Sequence, residues 1–182
     1  MKTTRAAFLD RDGTLIEEKH YISDPDLVTV LPGVVEGLRM LREKGYCLYV
    51  ISNQSGVGRG LIPVEKFWQV HSRIDSILTG AGVEIDEYLY CIHEPTQNCE
   101  CRKPKTGLIP RRIRDRAIDF KQSIAVGDRI CDLELGKNLQ GIPYLILTGY
   151  GQQTLSILKQ DPVKFEFRTA QSLCDVALNM NF

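Results

Sequence analysis

Phe8-Leu9-Asp10-Arg11-Asp12-Gly13-Thr14-Leu15 is the stretch that decides how this chain folds. An apolar run that begins at Ala6 stops at two carboxylates one residue apart, and glycine follows them. The run reads as a buried strand and Gly13 as the turn that ends it. Carboxylates at i and i+2 alternate across the faces of a strand, but a turn can bring both toward one point. Two converging carboxylates make either a hard-cation site or an acid and nucleophile pair. An Asp-rich surface turn would read the same way locally, so the other strand ends must decide.

Working outward, Tyr46 to Ile51 has the same buried-strand character and runs into the polar, glycine-rich loop Ser52-Asn53-Gln54-Ser55-Gly56-Val57-Gly58-Arg59-Gly60. Glu87 to Ile92, Ser123 to Val126 and Tyr144 to Leu147 read as further strands, the second of these ending in Gly127-Asp128. Between them the spacing predicts helices: one carrying Val34, Leu38 and Leu41 with Gly45 as its C-cap, and one over 64–78 with Phe67, Val70, Ile74 and Ile77 on its apolar face. Two more are expected over 107–118 and 131–139. Beyond Leu147 we expect a loop, a short strand near Phe165 to Phe167 and a closing helix from about Ala170. Ile16 to Pro32 mixes charge, aromatics and turn residues, and reads as a functional loop or small flap beside the carboxylates. Strands alternating with amphipathic helices predict an α/β, Rossmann-like three-layer fold with a mostly parallel central sheet and no large cap domain. Ligands of such sheets bind outside the carboxyl ends of the strands.

A length of 182 residues fits a single domain over residues 1–182. The balance of 43% hydrophobic to 25% charged residues is that of a globular protein and argues against disorder. Lys plus Arg equals Asp plus Glu at 23 each, so no global field points to nucleic acid. The apolar run after Lys2 and Arg5 is too short for a signal peptide, and none is long enough to span a membrane, so a cytoplasmic protein is expected. Its six cysteines are then thiols or metal ligands rather than disulfides.

Asp10, Asp12 and Asp128 supply carboxylates for Mg²⁺, which usually takes one or two of them together with substrate oxygens and waters. Asp132 either joins the metal shell or caps the helix that starts nearby. Ser52 and Asn53 offer a hydroxyl and an amide suited to phosphoryl oxygens, although such glycine-rich loops are often plain turns. Arg102 and Lys103 stand just before the helix expected from Gly107, whose N-terminus would add positive potential and favour an anionic ligand. Arg111, Arg112, Arg114 and Arg116 read better as a solvated helix face. Cys91-x-His93-x5-Cys99-x-Cys101 puts three thiolates and an imidazole within eleven residues, the ligand set of a closed, structural Zn²⁺ site. The polar loop that holds them offers no core for three cysteines, and it leads directly into Arg102 and Lys103. Cys47, Cys131 and Cys174 read as small core residues and Trp68 as packing. His71 is assigned no role, and His20 adjoins the acids through its loop.

Asp10-x-Asp12-Gly13-Thr14, a Ser ending the second strand, a Lys before a helix and Gly127-Asp128 after the fourth strand resemble, in order, the four motifs of the haloacid dehalogenase superfamily of phosphohydrolases. The resemblance covers about Arg5 to Leu147. The zinc loop is similar to that of the branch containing histidinol-phosphate phosphatases and D-glycero-D-manno-heptose 1,7-bisphosphate phosphatases. Asn53-Gln54-Ser55-Gly56-x-x-Arg59-Gly60 and Arg102-Lys103-Pro104 look like the heptose form. Ser52 stands where Thr is frequent, Arg129 where Lys is common, and the zinc loop is shorter than is usual.

The resemblance implies a Mg²⁺-dependent phosphatase acting on a heptose bisphosphate, expected at the C7 phosphate, in nucleotide-activated heptose and lipopolysaccharide-core biosynthesis. Histidinol phosphate is the alternative substrate, and a non-enzymatic module binding zinc and magnesium is the alternative of a different class. A nucleic-acid 3′-phosphatase shares the fold, but zero net charge and the lack of a basic, aromatic stripe count against it. On the resemblance, Asp10 forms an aspartyl phosphate while Asp12 protonates the leaving oxygen and then activates water. Mg²⁺ is held by Asp10, Asp128 and the backbone carbonyl of Asp12. Lys103 and Ser52 stabilise the transferring group, and Asn53, Arg59, Arg102 and Arg129 hold the rest of the substrate. The implied partner is a small phosphorylated sugar, neither nucleic acid nor membrane, and a monomer is expected.

Overall fold

The computed structural model describes residues 4–180, so Lys2 lies outside the described residues. Strand β1 is Arg5–Leu9, in which Ala6 to Leu9 are all buried. An unbroken apolar run of this kind suits a strand covered on both faces. With β2 (Tyr46–Asn53), β3 (Glu87–Cys91), β4 (Ile124–Gly127), β5 (Ile142–Ile146) and β6 (Arg168–Ala170) it forms one sheet in the order β3-β2-β1-β4-β5-β6. Every neighbouring pair is parallel, as the alternation of strands and helices predicts.

The helices are α1 (Val34–Glu43), α2 (Ser55–Gly58), α3 (Val64–Gly80), α4 (Arg111–Arg114), α5 (Ile130–Asn138), α6 (Gly151–Gln160) and α7 (Leu173–Leu178). Side chains alternate across β1 with period two, which divides the core. Ala7 and Leu9 join Leu38 of α1, Ile74 of α3 and Val176 of α7, whereas Ala6 and Phe8 join Tyr49, Ile113 and Leu135 on the other side. Among the described residues no helix is long and apolar enough to cross a membrane, and no large cap domain stands over the sheet.

From β1 the chain builds β2 and β3 on one side, then returns to place β4, β5 and β6 on the other. This reversal leaves a crevice above β1 and β4, the usual ligand position in such sheets. Residues 16–32 form the expected flap. Ile16 bridges antiparallel to Val30, Glu17 N–H donates to the Thr29 carbonyl, and Leu15, Ile16, Ile22 and Val28 root it in the core.

Three expectations need correction. The helix expected over 107–118 shrinks to the four residues of α4. Pro110 biases Ile109 away from helical backbone, and Ala117 takes a positive φ of 53° at the far end. Gly107 packs so closely on the Glu100 carbonyl that a Cβ would collide with it. No helix N-terminus therefore stands behind Arg102 and Lys103. The second correction is α6, which occupies the stretch expected as loop; its buried face is only Gly151, Thr154 and Leu158, too weak a pattern to read. Last, Trp68 is 50% exposed and touches Phe67, His71 and Tyr90 edge-on from outside.

Candidate active site

Leu9 pairs with both Val50 and Val126, so the residues that follow β1, β2 and β4 emerge side by side. Asp10 continues β1, its N–H donating to the Val126 carbonyl at 2.9 Å. Gly13 then reverses the chain with φ 77° and donates to the Ile16 carbonyl at 2.8 Å. The reversal needs glycine for space as well as for φ, since a Cβ on Gly13 or on Gly149 would strike the Asp128 carboxylate. Asp128 is fully buried there. Its Oδ2 accepts from Tyr150 N–H at 2.7 Å, while Oδ1 has no hydrogen-bond partner among the described residues.

Carboxylate oxygens of Asp10, Asp128 and Asp132 all lie within 4.8 Å of one another. Burial, and then the charge of Asp10, push the Asp128 carboxyl up to about 8; burial pushes Asp132 up to about 6 against the pull of Lys103. Crowded hard oxygens, two of them (Asp10 Oδ1 and Asp128 Oδ1) without a hydrogen-bond partner among the described residues, fit a small divalent cation such as Mg²⁺. The Asp12 carboxylate lies outside this group, bound to Arg11 and Gln54, so its backbone carbonyl is what it has to offer a metal. Asp132 caps α5, as one of its two readings has it, and its carboxylate also stands among the acids. It sits in the first turn of α5, where Oδ2 accepts from Arg129 N–H at 3.0 Å, and Oδ1 meets Lys103 Nζ at 2.6 Å.

Lys103 is buried with its ammonium between Asp132 and Asp10, whose Oδ1 is 2.8 Å away. That contact is ionic, and its angle leaves Asp10 Oδ1 without a hydrogen bond. Burial pulls the ammonium toward neutrality, but the two carboxylates outweigh it and hold its pKa above the ordinary lysine value. Asn53 clamps the backbone of Lys103, its Oδ1 accepting from Lys103 N–H at 2.9 Å and its Nδ2 donating to the Lys103 carbonyl at 3.2 Å. Ser52 Oγ accepts from Gln54 Nε2 at 3.0 Å and keeps its own proton to donate.

These groups open into a cavity of about 430 Å³ whose wall includes Asp10, Asp12, Ser52, Asn53, Arg59, Arg102, Lys103 and Arg129, with Asp128 buried beneath. Arg59 donates to Tyr21 Oη at 3.3 Å. Arg129 lies 3.9 Å over the Tyr150 ring and 3.5 Å from Glu18. The buried Nη1 of Arg102 has no partner among the described residues. Beside the cavity, the sulfurs of Cys91, Cys99 and Cys101 stand 3.4 to 3.5 Å apart, with His93 Nδ1 at 3.1 Å from Cys101 and 3.7 Å from Cys91. A tetrahedron of Zn–S bonds near 2.3 Å has edges of roughly 3.8 Å, so this cluster fits zinc, and four protein ligands would close it.

A family model described as polynucleotide kinase 3 phosphatase matches residues 5–141. The chain belongs to this family, within the haloacid dehalogenase superfamily of phosphatases. The superfamily protein from Haemophilus influenzae named D-glycero-beta-D-manno-heptose-1,7-bisphosphate 7-phosphatase is 39% identical over 138 residues, 72% of this chain and 75% of that one. A histidine biosynthesis bifunctional protein of Legionella pneumophila is 37% identical over 140 residues, 76% of this chain but 40% of that one. The D,D-heptose 1,7-bisphosphate phosphatase of B. bronchiseptica, solved as a complex with magnesium and phosphate, superposes with a TM-score of 0.86 at 29% identity, over 96% of this chain and 97% of that one.

This haloacid dehalogenase phosphatase, a phosphoric monoester hydrolase, brings Asp10, Asp12, Ser52, Asn53, Arg59, Arg102, Lys103 and Arg129 to one cavity. Others at the cavity carried no readable signal. Arg11 was masked by the acids that flank it, and Gln54 by the glycine-rich loop. Tyr150 arrives from far along the chain, where its ring contacts Arg129 and its hydroxyl meets His20 Nδ1 at 2.9 Å. Cys131 lines the cavity and is half-buried rather than part of the core, Cys174 is half-buried, and Cys47 packs, partly buried, against the core beside Ala6 and Phe8.

Proposed function

We propose that this phosphatase removes one phosphate, the one at C7, from a heptose 1,7-bisphosphate through an aspartyl phosphate on Asp10. The observation that carries the reading is one cavity whose lining combines Asp10, Asp12, Ser52 and Lys103 with three arginines. The first four would work on one phosphate above buried Asp128, and Arg59, Arg102 and Arg129 would supply positive charge for a second anionic group. The names of the Haemophilus influenzae and B. bronchiseptica relatives support it.

Asp10, Asp128 and the Asp12 carbonyl would hold Mg²⁺, which when bound draws charge from the phosphoryl group and offsets its repulsion from Asp10. Lys103 Nζ and the Ser52 hydroxyl stabilise the oxygens of the transferring group. An Asp10 oxygen bonds to phosphorus as the bond to the sugar oxygen breaks, and Asp12 gives that oxygen its proton. Water then attacks phosphorus, its proton passes to Asp12, and Asp10 is released as a carboxylate. Asn53 serves by holding Lys103, and the three arginines hold the second phosphate. Zinc on Cys91, His93, Cys99 and Cys101 would stiffen the loop that delivers Arg102 and Lys103.

Histidinol phosphate remains a second reading because the bifunctional histidine-biosynthesis relative aligns over most of this chain. Its ammonium group would face three guanidiniums, which favours the bisphosphate. The description of the matching family model favours a nucleic-acid 3′-phosphate, but 23 basic and 23 acidic residues leave no net positive charge to hold a polyanion. Phosphate release from the heptose bisphosphate, histidinol phosphate and a 3′-phosphorylated oligonucleotide tests the assignment. We expect the highest kcat/KM for the bisphosphate. Faster turnover of histidinol phosphate would overturn the substrate, and an Asp10→Asn protein as active as wild type would overturn the mechanism.

A further inference from the structure

Arg11 stands between the two acids and has no part in the chemistry above. Its side chain turns into the protein, 1% exposed, with the guanidinium 5.8 Å from the Phe67 ring centroid and 5.9 Å from that of Tyr90. Nε donates to Asp12 Oδ2 at 3.0 Å, and Nη2 donates to Asp12 Oδ1 and to Gln54 Oε1, each at 2.9 Å. Buried Gln54 closes the circuit, its Nε2 donating to Asp12 Oδ2 at 2.6 Å and to Ser52 Oγ at 3.0 Å. A guanidinium removed from water is costly unless its hydrogen bonds hold a fixed geometry; here Nε and Nη2 both bind the Asp12 carboxylate, Nη2 also binds Gln54, and Nη1 has no partner among the described residues.

We propose that Arg11 and Gln54 are positioning residues for the proton shuttle, forming a rigid fork that saturates Asp12 Oδ2 and leaves Oδ1 as the oxygen that carries the proton. The inference rests on the phosphatase reading of Asp10 and Asp12. Oδ2 receives Arg11 Nε and Gln54 Nε2, which fills its acceptor capacity. Oδ1 receives Arg11 Nη2 and keeps one lone pair, on a carboxylate that lines the cavity. The same oxygen must give its proton to the leaving group and later take one from water, so its placement bears on both halves of the reaction. Gln54 also occupies Ser52 Oγ as an acceptor, so one buried amide orients the shuttle and the hydroxyl that donates to phosphate.

The test is rapid-mixing kinetics with p-nitrophenyl phosphate, whose good leaving group needs no proton in the first half but whose phosphoenzyme still needs a base in the second. In Arg11→Met we expect a nitrophenolate burst close to stoichiometric with enzyme and near the wild-type rate; in Gln54→Leu, which also releases Ser52 Oγ, the burst should slow, but less than the steady state does. The following steady state should be slower by about ten- to a hundredfold, a share of the roughly 10²- to 10⁴-fold that acid–base catalysis supplies. Arg11→Lys, which keeps the charge and loses the fork, should fall between. Thermal melting and magnesium titration verify folding, and if Arg11→Met does not fold, Gln54→Leu alone decides. A steady state within about twofold of wild type, or burst and steady state reduced in equal proportion, would overturn the proposal while leaving the phosphatase reading intact. Wild-type protein without activity on this substrate, or an unimpaired Asp10→Asn, would overturn both.

Discussion

The two ligand clusters differ in what they leave open. Asp10, Asp128 and Asp132 crowd hard oxygens where Asp10 lines a cavity, with Asp128 Oδ1 unpartnered among the described residues, whereas Cys91, His93, Cys99 and Cys101 turn three thiols and an imidazole inward on one another. An open oxygen site leaves room for substrate oxygens; a closed sulfur and nitrogen site leaves none. The chain joins them directly, since Cys101 is followed by Arg102 and Lys103, and Lys103 ends between Asp10 and Asp132. On the proposed function, one cluster performs chemistry and the other holds a cation in place for it.

That division breaks or sharpens under perturbation. Asp10→Asn should have the largest effect, approaching the roughly 10⁶-fold loss of kcat that follows removal of a hydrolase nucleophile, measured by phosphate release with thermal stability checked in parallel. Lys103→Met should cost about 10²- to 10³-fold in kcat as a lost transition-state donor. It should also destabilise the fold by about 3 to 5 kcal/mol, because Asp10 and Asp132 lose the cation buried between them. Denaturant titration of that variant separates the two effects. Cys99→Ser should act in the opposite proportion. Elemental analysis should show zinc lost and the melting temperature should fall by roughly 2 to 4 °C for each kcal/mol forfeited, while the magnesium concentration at half-maximal activity stays as in wild type. Chelation under conditions that spare zinc should abolish activity reversibly, with Mg²⁺ restoring it.

The smallest effect is a pH dependence of the magnesium-free protein. Burial and Asp10 raise Asp128 to about 8 from an ordinary value of 3.8, so the folded state binds a proton that the unfolded chain releases. Stability from this group is therefore greatest below its unfolded pKa and declines as pH rises from about 4 to about 8. A bound divalent cation favours the ionised carboxylate and opposes the decline. The rise in melting temperature on adding Mg²⁺ should grow from pH 5 to pH 8; a rise that is flat or shrinks over that range would count against Asp128 as a ligand.

Much of this molecule is legible in its local chemistry alone. Apolar runs ending at Asp10, Ser52 and Asp128 announce strands and their carboxyl ends, because burial and turn chemistry are written in adjacent residues. The zinc ligands are legible for the same reason, lying within eleven residues of one another. Where a local signal competed with packing it failed. Ile109, Ile113 and Ala117 have helical spacing, yet Pro110 and the close approach of Gly107 to Glu100 allow α4 only four residues. By itself, then, the sequence determined the alternation of strands and helices, the acids at the strand ends and the cysteine cluster. Only the tertiary structure decided that Lys103 sits between Asp10 and Asp132 without a helix behind it, that Tyr150 reaches Arg129 and His20, and that Arg11 and Gln54 hold Asp12. Those contacts depend on strand register and on which faces meet across a parallel sheet, and these are set by packing between segments far apart in the chain.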